Sequence, residues 1–481
     1  MARINTNVPA LVAQTNLRRS QRELQTSLER LASGLRINRG ADDPAGLIVS
    51  ENLRSEIAGV TMAMDNSQRA MNVIATAEGA LNEVAALLVD IQGLVVQAAN
   101  SGAMSEEEIK ANQLQIDSAV ESITRIANTT TFAGRHLLNG SLDYVTSGVD
   151  NGSIQTLQVF GAQFGEQTYV PVNMAVTQSA QKAQLEFRSS TVTGGSVTIE
   201  VRGNNGVATL LFSSGTTASQ ILLAVNQVAD ATGVNAELIN SANAASGVRF
   251  VSSGYGTRSF VAIDSLQSST GTFATYDVDG NAQKRDTGRD VLASVNGTQA
   301  SGDGLTLSLN TATLDLTMTL QESFGIGSTS FAVTAGGALF QLGPRVDTNQ
   351  QTNMGIQSVA ASRLGNGAVG YLSEIIGGGG KSLVEGKARE ASLVITEAIR
   401  QIAVLRGRLG AFEKNTLQTN VNQLQITKEN LTASESSIRD TDFAYETSRL
   451  TRNQILVNAG TSVLAMANST PQSVLSLLGS G

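Results

Sequence analysis

Apolar residues recur in steps of three and four at both ends of this chain and in steps of two through its middle. That change of period limits the fold more than any other feature, because it separates helix from strand. Residues 1–130 and 382–481 carry Leu, Ile and Val seams, whereas 140–345 are short alternating runs broken by Gly, Ser, Thr and Asn. The expected class is α+β. The N- and C-terminal helices pair as a long antiparallel coiled coil or helical bundle, and a β-rich central insertion forms outer domains.

The first helix is predicted to start near Pro9, with a seam of Leu17, Leu24, Leu28, Leu31 and Leu35. A connector, SGLRINRGADDPAGL, follows with Gly34, Gly40, Gly46, Asp42 and Asp43; Asp43 suits an N-cap and Pro44 the first helical position. The second helix runs from about 44 to about 99, with Val60, Ser67, Ile74, Leu81, Leu88 and Val95 in successive sevens. Its length, roughly 80 Å at 1.5 Å per residue, calls for a bundle partner. Ser105 and Glu108 form a capping box before a third helix through Ile109, Ile116 and Ile123. Toward the C-terminus, Ile395, Ile399, Ile402, Leu405, Leu409 and Phe412 make one seam, and Leu417, Leu424, Leu431 and Ile438 make another in sevens. From about 442 the last segment holds Ile455, Leu456, Val463 and Leu464, then Leu475, Leu477 and Leu478; Gly460 and Pro471 predict a bend or short breaks.

In the middle, VTIEV and ATLLF flank an Asn-Gly turn, and Thr217 with Gln220 caps a short helix. Residues 186–264 therefore read as one small α+β unit. A second β unit covers about 285–335, where Leu305, Leu307 and Leu309 alternate, then Leu314, Leu316, Met318 and Leu320. The run GGGG at 377–380 closes this region.

Composition removes several function classes. The formal charge is −8, which disfavours nucleic acid as a partner. No cysteine is present, so thiol chemistry is excluded. No run of about 18 uninterrupted apolar residues predicts membrane insertion, and no apolar signal core stands at the N-terminus. The single histidine, His136, lies in a turn-like GRHLLNG without catalytic neighbours, so zinc and Ser-His-Asp sites lack their histidines. Asp277 with Asp279, or Asp286 with Asp290, could pair in principle, but loop charge is the simpler reading. No enzyme activity, metal or cofactor is expected.

The terminal seams must be buried. Residues 1–35 and 442–481 are each too small to fold alone, so they are expected to order by packing against neighbouring copies. A non-closing contact of this kind gives a filament; patterning alone does not separate that from a closed ring.

Two long motifs then become specific. SLERLASGLRINRGADDPAGLIVSENLRSEI at 27–57 resembles the N-terminal signature of bacterial flagellins, and NLTASESSIRDTDFAYETSRLTRNQILVNAGTSVLAMANSTPQSVLSLL at 430–478 resembles the C-terminal one. The resemblance covers about 1–140 and 340–481, and the unit at 186–264 is similar to a small insert module of flagellins and hook proteins. It implies a structural subunit of the swimming filament, a homopolymer of copies of itself. The layers would be 1–43 as inner-tube helix and connector, 44–140 as rod helices, 141–349 as the surface-exposed variable region, 350–441 as the C-terminal rod helix and 442–481 as the second inner-tube helix.

The same resemblance implies export unfolded through the flagellar type III apparatus without a cleaved signal peptide, and an extracellular location. It also implies a secretion chaperone on the C-terminal segment, with filament cap and hook-junction proteins as partners. The alternative within the class is the hook–filament junction protein. In LVDIQGLVVQAANS at 88–101, Leu94, Gln97, Asn100 and Ser101 match the pattern detected by Toll-like receptor 5, but Asp90 stands at its basic position and Gln115 at its acidic one. Weak or no detection by that receptor is expected.

Overall fold

The computed structural model describes residues 6–165, 167–243, 245–268, 273–311 and 313–478, with the backbone alone at 471–472 and 474–478. Its helices are α1 (Val8–Ser33), α2 (Pro44–Ala98), α3 (Glu106–Thr129), α4 (Ala218–Gln227), α5 (Ala229–Thr232), α6 (Ala388–Phe412), α7 (Thr419–Arg439) and α8 (Phe443–Leu478). The chain divides into two compact units. One comprises Met1–Ala70, Gln341–Gln350 and Lys414–Gly481; the other comprises Met71–Phe340 and Gln351–Glu413.

In the first unit, Val60 and Ala63 of α2 pack with Leu424 of α7, and Met64 and Leu431 flank them. Ser67 takes a seam position without an apolar side chain. It is fully buried, and its hydroxyl accepts a 3.1 Å bond from Asn420 Nδ2, which also donates to Leu342 O at 2.8 Å. A buried hydroxyl at a seam position is tolerated because it is bonded.

The seam of α6 and α7 contains one residue too many. Ile395, Ile402 and Leu409 lie seven apart, as do Leu417, Leu424, Leu431 and Ile438, but Leu409 to Leu417 is a step of eight. A π-helical turn at Glu413–Gln418 absorbs the extra residue, and both Leu409 and Leu417 are fully buried. The row in α2 has no such interruption.

Two expectations for the C-terminal third are corrected. Helix does not extend across 350–441: it begins at Ala388, and 351–387 is short strands and 3₁₀ turns. Gly365 and Gly370 there hold φ of 114° and 95°, a conformation a helix cannot contain. Nor do Gly460 and Pro471 break the last helix, since α8 is assigned as one helix from Phe443 to Leu478. At Gly460 the propensity cost, about 1 kcal/mol, is offset by packing, as shown below.

In the second unit, α2 buries Ile74, Leu81, Val84, Leu88, Ile91 and Val95; α3 buries Ile116, Val120 and Ile123; α6 buries Val394, Ile395, Ile402 and Leu405. One eighteen-residue window of α2 has a mean hydropathy of 1.5, enough for a membrane span by length and composition. Its buried residues nevertheless step by three and four along one face, while Glu83 and Asp90 are exposed, which is the pattern of a packed amphipathic helix.

Between 131 and 336 the strands are β1 (Thr131–Phe132), β2 (Arg135–His136), β3 (Tyr144–Ser147), β4 (Ile154–Ala162), β5 (Val170–Gln178), β6 (Lys182–Phe187), β7 (Val197–Arg202), β8 (Val207–Phe212), β9 (Val234–Leu238), β10 (Val248–Tyr255), β11 (Phe260–Ser268), β12 (Arg285–Thr287), β13 (Leu292–Val295), β14 (Thr298–Gln299), β15 (Ser301–Asp303), β16 (Thr306–Asn310), β17 (Leu314–Leu320) and β18 (Gly327–Gly336). Sheets β14-β13-β5-β18-β3 and β15-β16-β17-β4 share one core, including Val172, Met174, Leu307, Leu316, Met318 and Val333. Sheets β6-β10-β9 and β12-β11-β7-β8 share another with α4, including Leu185, Ile199, Val201, Ile221 and Phe250.

The β boundaries differ from expectation at both units. The insert module takes β6 and β12 as well as 186–264, and the unit at 285–335 needs β3, β4 and β5 to cover it. A strand with one apolar face cannot close a core without a facing sheet, and those partner strands come from earlier in the chain. The two β cores are tied by Asp290, whose carboxylate accepts from Thr257 N (3.0 Å), Thr257 Oγ1 (2.6 Å) and Gly304 N (2.8 Å).

Candidate assembly surface

The first and last helices pair antiparallel. Asn7 Nδ2 donates to Ala467 O at 2.7 Å near one end of the pair. Gly460 lies against Leu17 further along. Arg30 Nη1 lies 3.6 Å from Glu446 Oε2, and Thr441 N donates to Gly34 O at 2.9 Å at the other end. Each advance along α1 thus matches a retreat along α8.

The seam alternates a large row with a small or polar one. On α1 it runs through Ala13, Leu17, Ser20, Leu24, Ser27 and Leu31, all buried or half-buried. On α8 it runs through Glu446, Leu450, Asn453, Val457, Gly460, Leu464 and Ala467, again buried or half-buried. Both step by four and three, as a coiled coil requires. Leu28, expected in this seam, is off it and 52% exposed. Ser27 holds the position instead, because the repeat follows geometry and admits a small residue where the helices come close.

The expected inner-tube residues therefore divide. Leu17, Leu24, Leu31 and Leu464 are used within the pair, and Leu35 is half-buried opposite Asp440 in a β-bridge. Leu28, Ile455, Leu456 and Val463 stay exposed, joined by Leu11, Val12 and Met466. Leu475, Leu477 and Leu478 have side chains outside the described residues. A monomer gains nothing from exposing so many large apolar groups on one pair of helices, so these exposed positions are the candidate contacts with other copies.

The connector is built from short-range bonds. Gly34 ends α1 with φ 73°, its N–H donating to Arg30 O at 2.9 Å. Arg36 N donates to Arg439 O at 2.6 Å. Asp42 Oδ2 accepts from Asn38 N (3.0 Å) and Arg39 N (2.8 Å), while Asp43 Oδ1 accepts from Gly46 N (2.9 Å), capping α2 before Pro44. Gly40 is exposed. Arg439 Nη1 reaches Glu51 Oε1 at 2.8 Å, and that hydrogen bond holds the Glu51 carboxyl below its usual range.

The expected rod seam is placed as follows. Val60, Ile74, Leu81, Leu88, Val95, Ile116, Ile123, Leu417 and Leu424 are buried; Leu431 and Ile438 are half-buried. Asp90, Gln97 and Gln115 are exposed and Leu94 half-buried. Sequence reasoning missed Gln113. Its buried amide donates to Ile375 O and accepts from Leu383 N, both at 2.8 Å, binding α3 to the irregular segment before α6. It also missed Arg408, whose guanidinium stands 3.3 Å over the Phe160 ring and 2.5 Å from Asp315. No sequence pattern signals either, since both partners are distant in the chain.

Asp277, Asp286 and Asp290, weighed as members of catalytic pairs, accept structural hydrogen bonds, Asp277 within a turn, Asp286 between strands and Asp290 between the two β cores. Asp277 Oδ1 accepts from Asn281 N at 2.7 Å, and Asp286 Oδ2 from Gln184 N at 2.8 Å. His136 is exposed in a short hairpin. Among the described residues, no three His, Cys, Asp or Glu side chains are grouped to hold a metal ion.

Comparison with known proteins places this geometry. The bacterial flagellin N-terminal helical region matches residues 4–143, and the flagellin C-terminal helical region matches 393–478. A flagellin of Salmonella rubislaw is 30% identical over 99% of both chains. The chain belongs to the bacterial flagellin family. The B-type flagellin of Pseudomonas aeruginosa is 29% identical, also over 99% of both chains. Among solved structures, a flagellar hook associated protein-3 from Legionella pneumophila covers 81% of this chain and 98% of its own, at 12% identity and a TM-score of 0.31. The flagellin helical regions coincide with α1–α3 and with α6–α8, so the paired ends described above lie inside them.

Proposed function

We propose that this flagellin is the structural subunit that polymerises into the helical flagellar filament for swimming. The observation that carries the reading is the number of large apolar side chains left exposed on the α1/α8 pair, among them Leu11, Val12, Leu28, Ile455, Val463 and Met466. Contacts made at such positions and repeated without closing build a helix of subunits. The pair would line the inner tube, and the helical seams of α2, α3, α6 and α7 would form the rod around it. The β-rich region would be the exposed decoration.

Export follows the same logic. A chain whose ends gain their burial on assembly can leave unfolded through the flagellar type III apparatus and order outside the cell. A secretion chaperone would cover 442–481 before export, and cap and junction proteins would meet the same end segments afterwards.

The test is seeded polymerisation of the purified full chain, imaged by negative-stain electron microscopy, beside a chain lacking 1–35 and 442–481. Long filaments from the full chain alone support the reading. A well-folded full chain that fails to extend seeds would move the assignment to a minor axial component.

A further inference from the structure

A cavity of about 140 Å³ lies within the second unit, where β4, α6, the start of β3 and the irregular segment 357–364 meet. Its apolar wall is Leu364, Ile402 and Leu405, all buried. Its polar wall carries one charge of each sign, Asp143 and Arg363, beside the amides of Gln158 and Gln357. Asp143 is half-buried and Arg363 is exposed. Neither takes part in the helical seams or in the cores of the two β units.

The walls are fixed by their own hydrogen bonds. Asp143 Oδ1 accepts from Tyr144 N at 2.8 Å. Ile356 N donates to Leu142 O at 2.9 Å and Val359 N to Leu138 O at 3.0 Å, which laces the segment bearing Gln357 to the one bearing Asp143. On α6, Gln401 accepts from Gly365 N at 3.0 Å and donates to Gly365 O at 2.8 Å, pinning the backbone two residues beyond Arg363. A site held in this way binds without an ordering cost. Its two charges are not matched to each other. Arg363 acts on Asp143 through charge alone and does not offset burial, which pushes the Asp143 carboxyl above its usual range. A cation beside Asp143 and an anion beside Arg363 would each be favoured there.

Sites for drug-sized ligands begin at roughly 300 Å³, so this cavity takes a molecule of only a few heavy atoms. An ammonium and a carboxylate on one carbon meet both charges at once, and a short aliphatic group suits the apolar wall. We propose that the cavity is a binding site for a small α-amino acid, with its ammonium on Asp143, its carboxylate on Arg363 and its side chain against Leu364, Ile402 and Leu405. A ligand there joins β4 and α6 to the segment between them. The site does not rest on the filament-subunit reading and is tested on the unassembled chain.

The experiment is equilibrium dialysis of radiolabelled L-alanine against full-length monomer, with circular dichroism on each sample. One saturable site per chain is expected. Asp143→Asn and Arg363→Gln should each weaken binding by about tenfold or more, as loss of one charged contact does. Arg363 is exposed, so its substitution spares the fold and decides the matter even where Asp143→Asn does not fold. Glycine should compete with alanine. Methylamine, acetate and N-acetylalanine amide carry one charge or none, and should compete about tenfold less well or worse. Three results overturn the proposal: no saturable uptake at up to ~10 mM alanine, wild-type affinity in Arg363→Gln, or methylamine or acetate competing as well as glycine.

Discussion

A β-carbon added to Gly460 would stand 3.2 Å from Leu17 Cδ1 and 3.7 Å from Leu17 Cβ. That is tighter than ordinary van der Waals contact for the first atom, and it places the two terminal helices as near as glycine permits. Gly460 is therefore a packing residue in a continuous helix. Replacing it with Leu should force the pair apart at a cost of about 1–3 kcal/mol. The critical concentration for seeded polymerisation should rise by roughly tenfold or more. Gly460→Ala should be far milder, because the gain in helix propensity offsets a small shift of Leu17. Equal critical concentrations for Gly460→Leu and wild type would remove Gly460 from the seam.

Tyr144 supplies a pH signature. Burial pushes its phenol up to about 12 from the ordinary 10, opposed by the Ala162 N–H that donates to its oxygen at 2.9 Å. The neutral form is favoured in the folded state, so this contribution is fully present below pH 10 and is lost as pH rises through 12. Two pKa units correspond to about 3 kcal/mol. Unfolding midpoints in denaturant should fall between pH 10 and 12, and Tyr144→Phe should flatten that fall while lowering stability at neutral pH by about 1–3 kcal/mol for the orphaned Ala162 N–H. An unchanged slope in the variant would assign the alkaline loss to other groups.

The π-turn predicts a tolerated deletion. Asn415 is exposed within Glu413–Gln418. Removing it would make the step from Leu409 to the next seam leucine seven instead of eight, so α6 and α7 could join as one α-helix with their apolar row intact. The thermal midpoint should equal or exceed that of the wild type. Leu417→Ala, which empties a fully buried seam position, should cost about 2–5 kcal/mol in the same measurement. A deletion as damaging as Leu417→Ala would show that the extra residue is structurally required.

Receptor detection is the remaining expectation. Asp90 and Gln115 are both exposed, so their substitution should leave folding intact. Wild-type monomer should activate a Toll-like receptor 5 reporter weakly, and Asp90→Arg with Gln115→Glu should raise activation at least tenfold, since an arginine restores a bidentate donor. Strong activation by the unaltered monomer would contradict the reading.

Much of the fold is legible because periodicity reports burial directly. The α2 row from Val60 to Val95 predicted a helix from 44 to about 99, and the structure has Pro44–Ala98. The Ser105–Glu108 box predicted a start that the structure places at Glu106, with Ser105 N bonded to Glu108 Oε2 at 2.7 Å. The two sevens on either side of 413–418 were also visible. Their mismatch of one residue was the signal for the π-turn, readable only when the two rows are counted against each other.

Other features needed the tertiary structure. The choice of Leu28 over Ser27 came from counting apolar residues alone, and a seam between close helices can prefer small ones. The strands at 144–178 complete the β unit expected at 285–335 from outside its bounds, because strand pairing is decided by a facing sheet and not by neighbours in sequence. Gln113 and Arg408 act on groups hundreds of residues or a whole sheet away. Side-chain spacing along the chain was enough to separate the helical ends from the β-rich middle and to show that both ends carry seams, although it misplaced 351–387 and expected a break in α8. Which apolar residues the α1/α8 pair uses, and which it leaves exposed, follows from packing between the two helices, because burial is settled by what comes to face each residue.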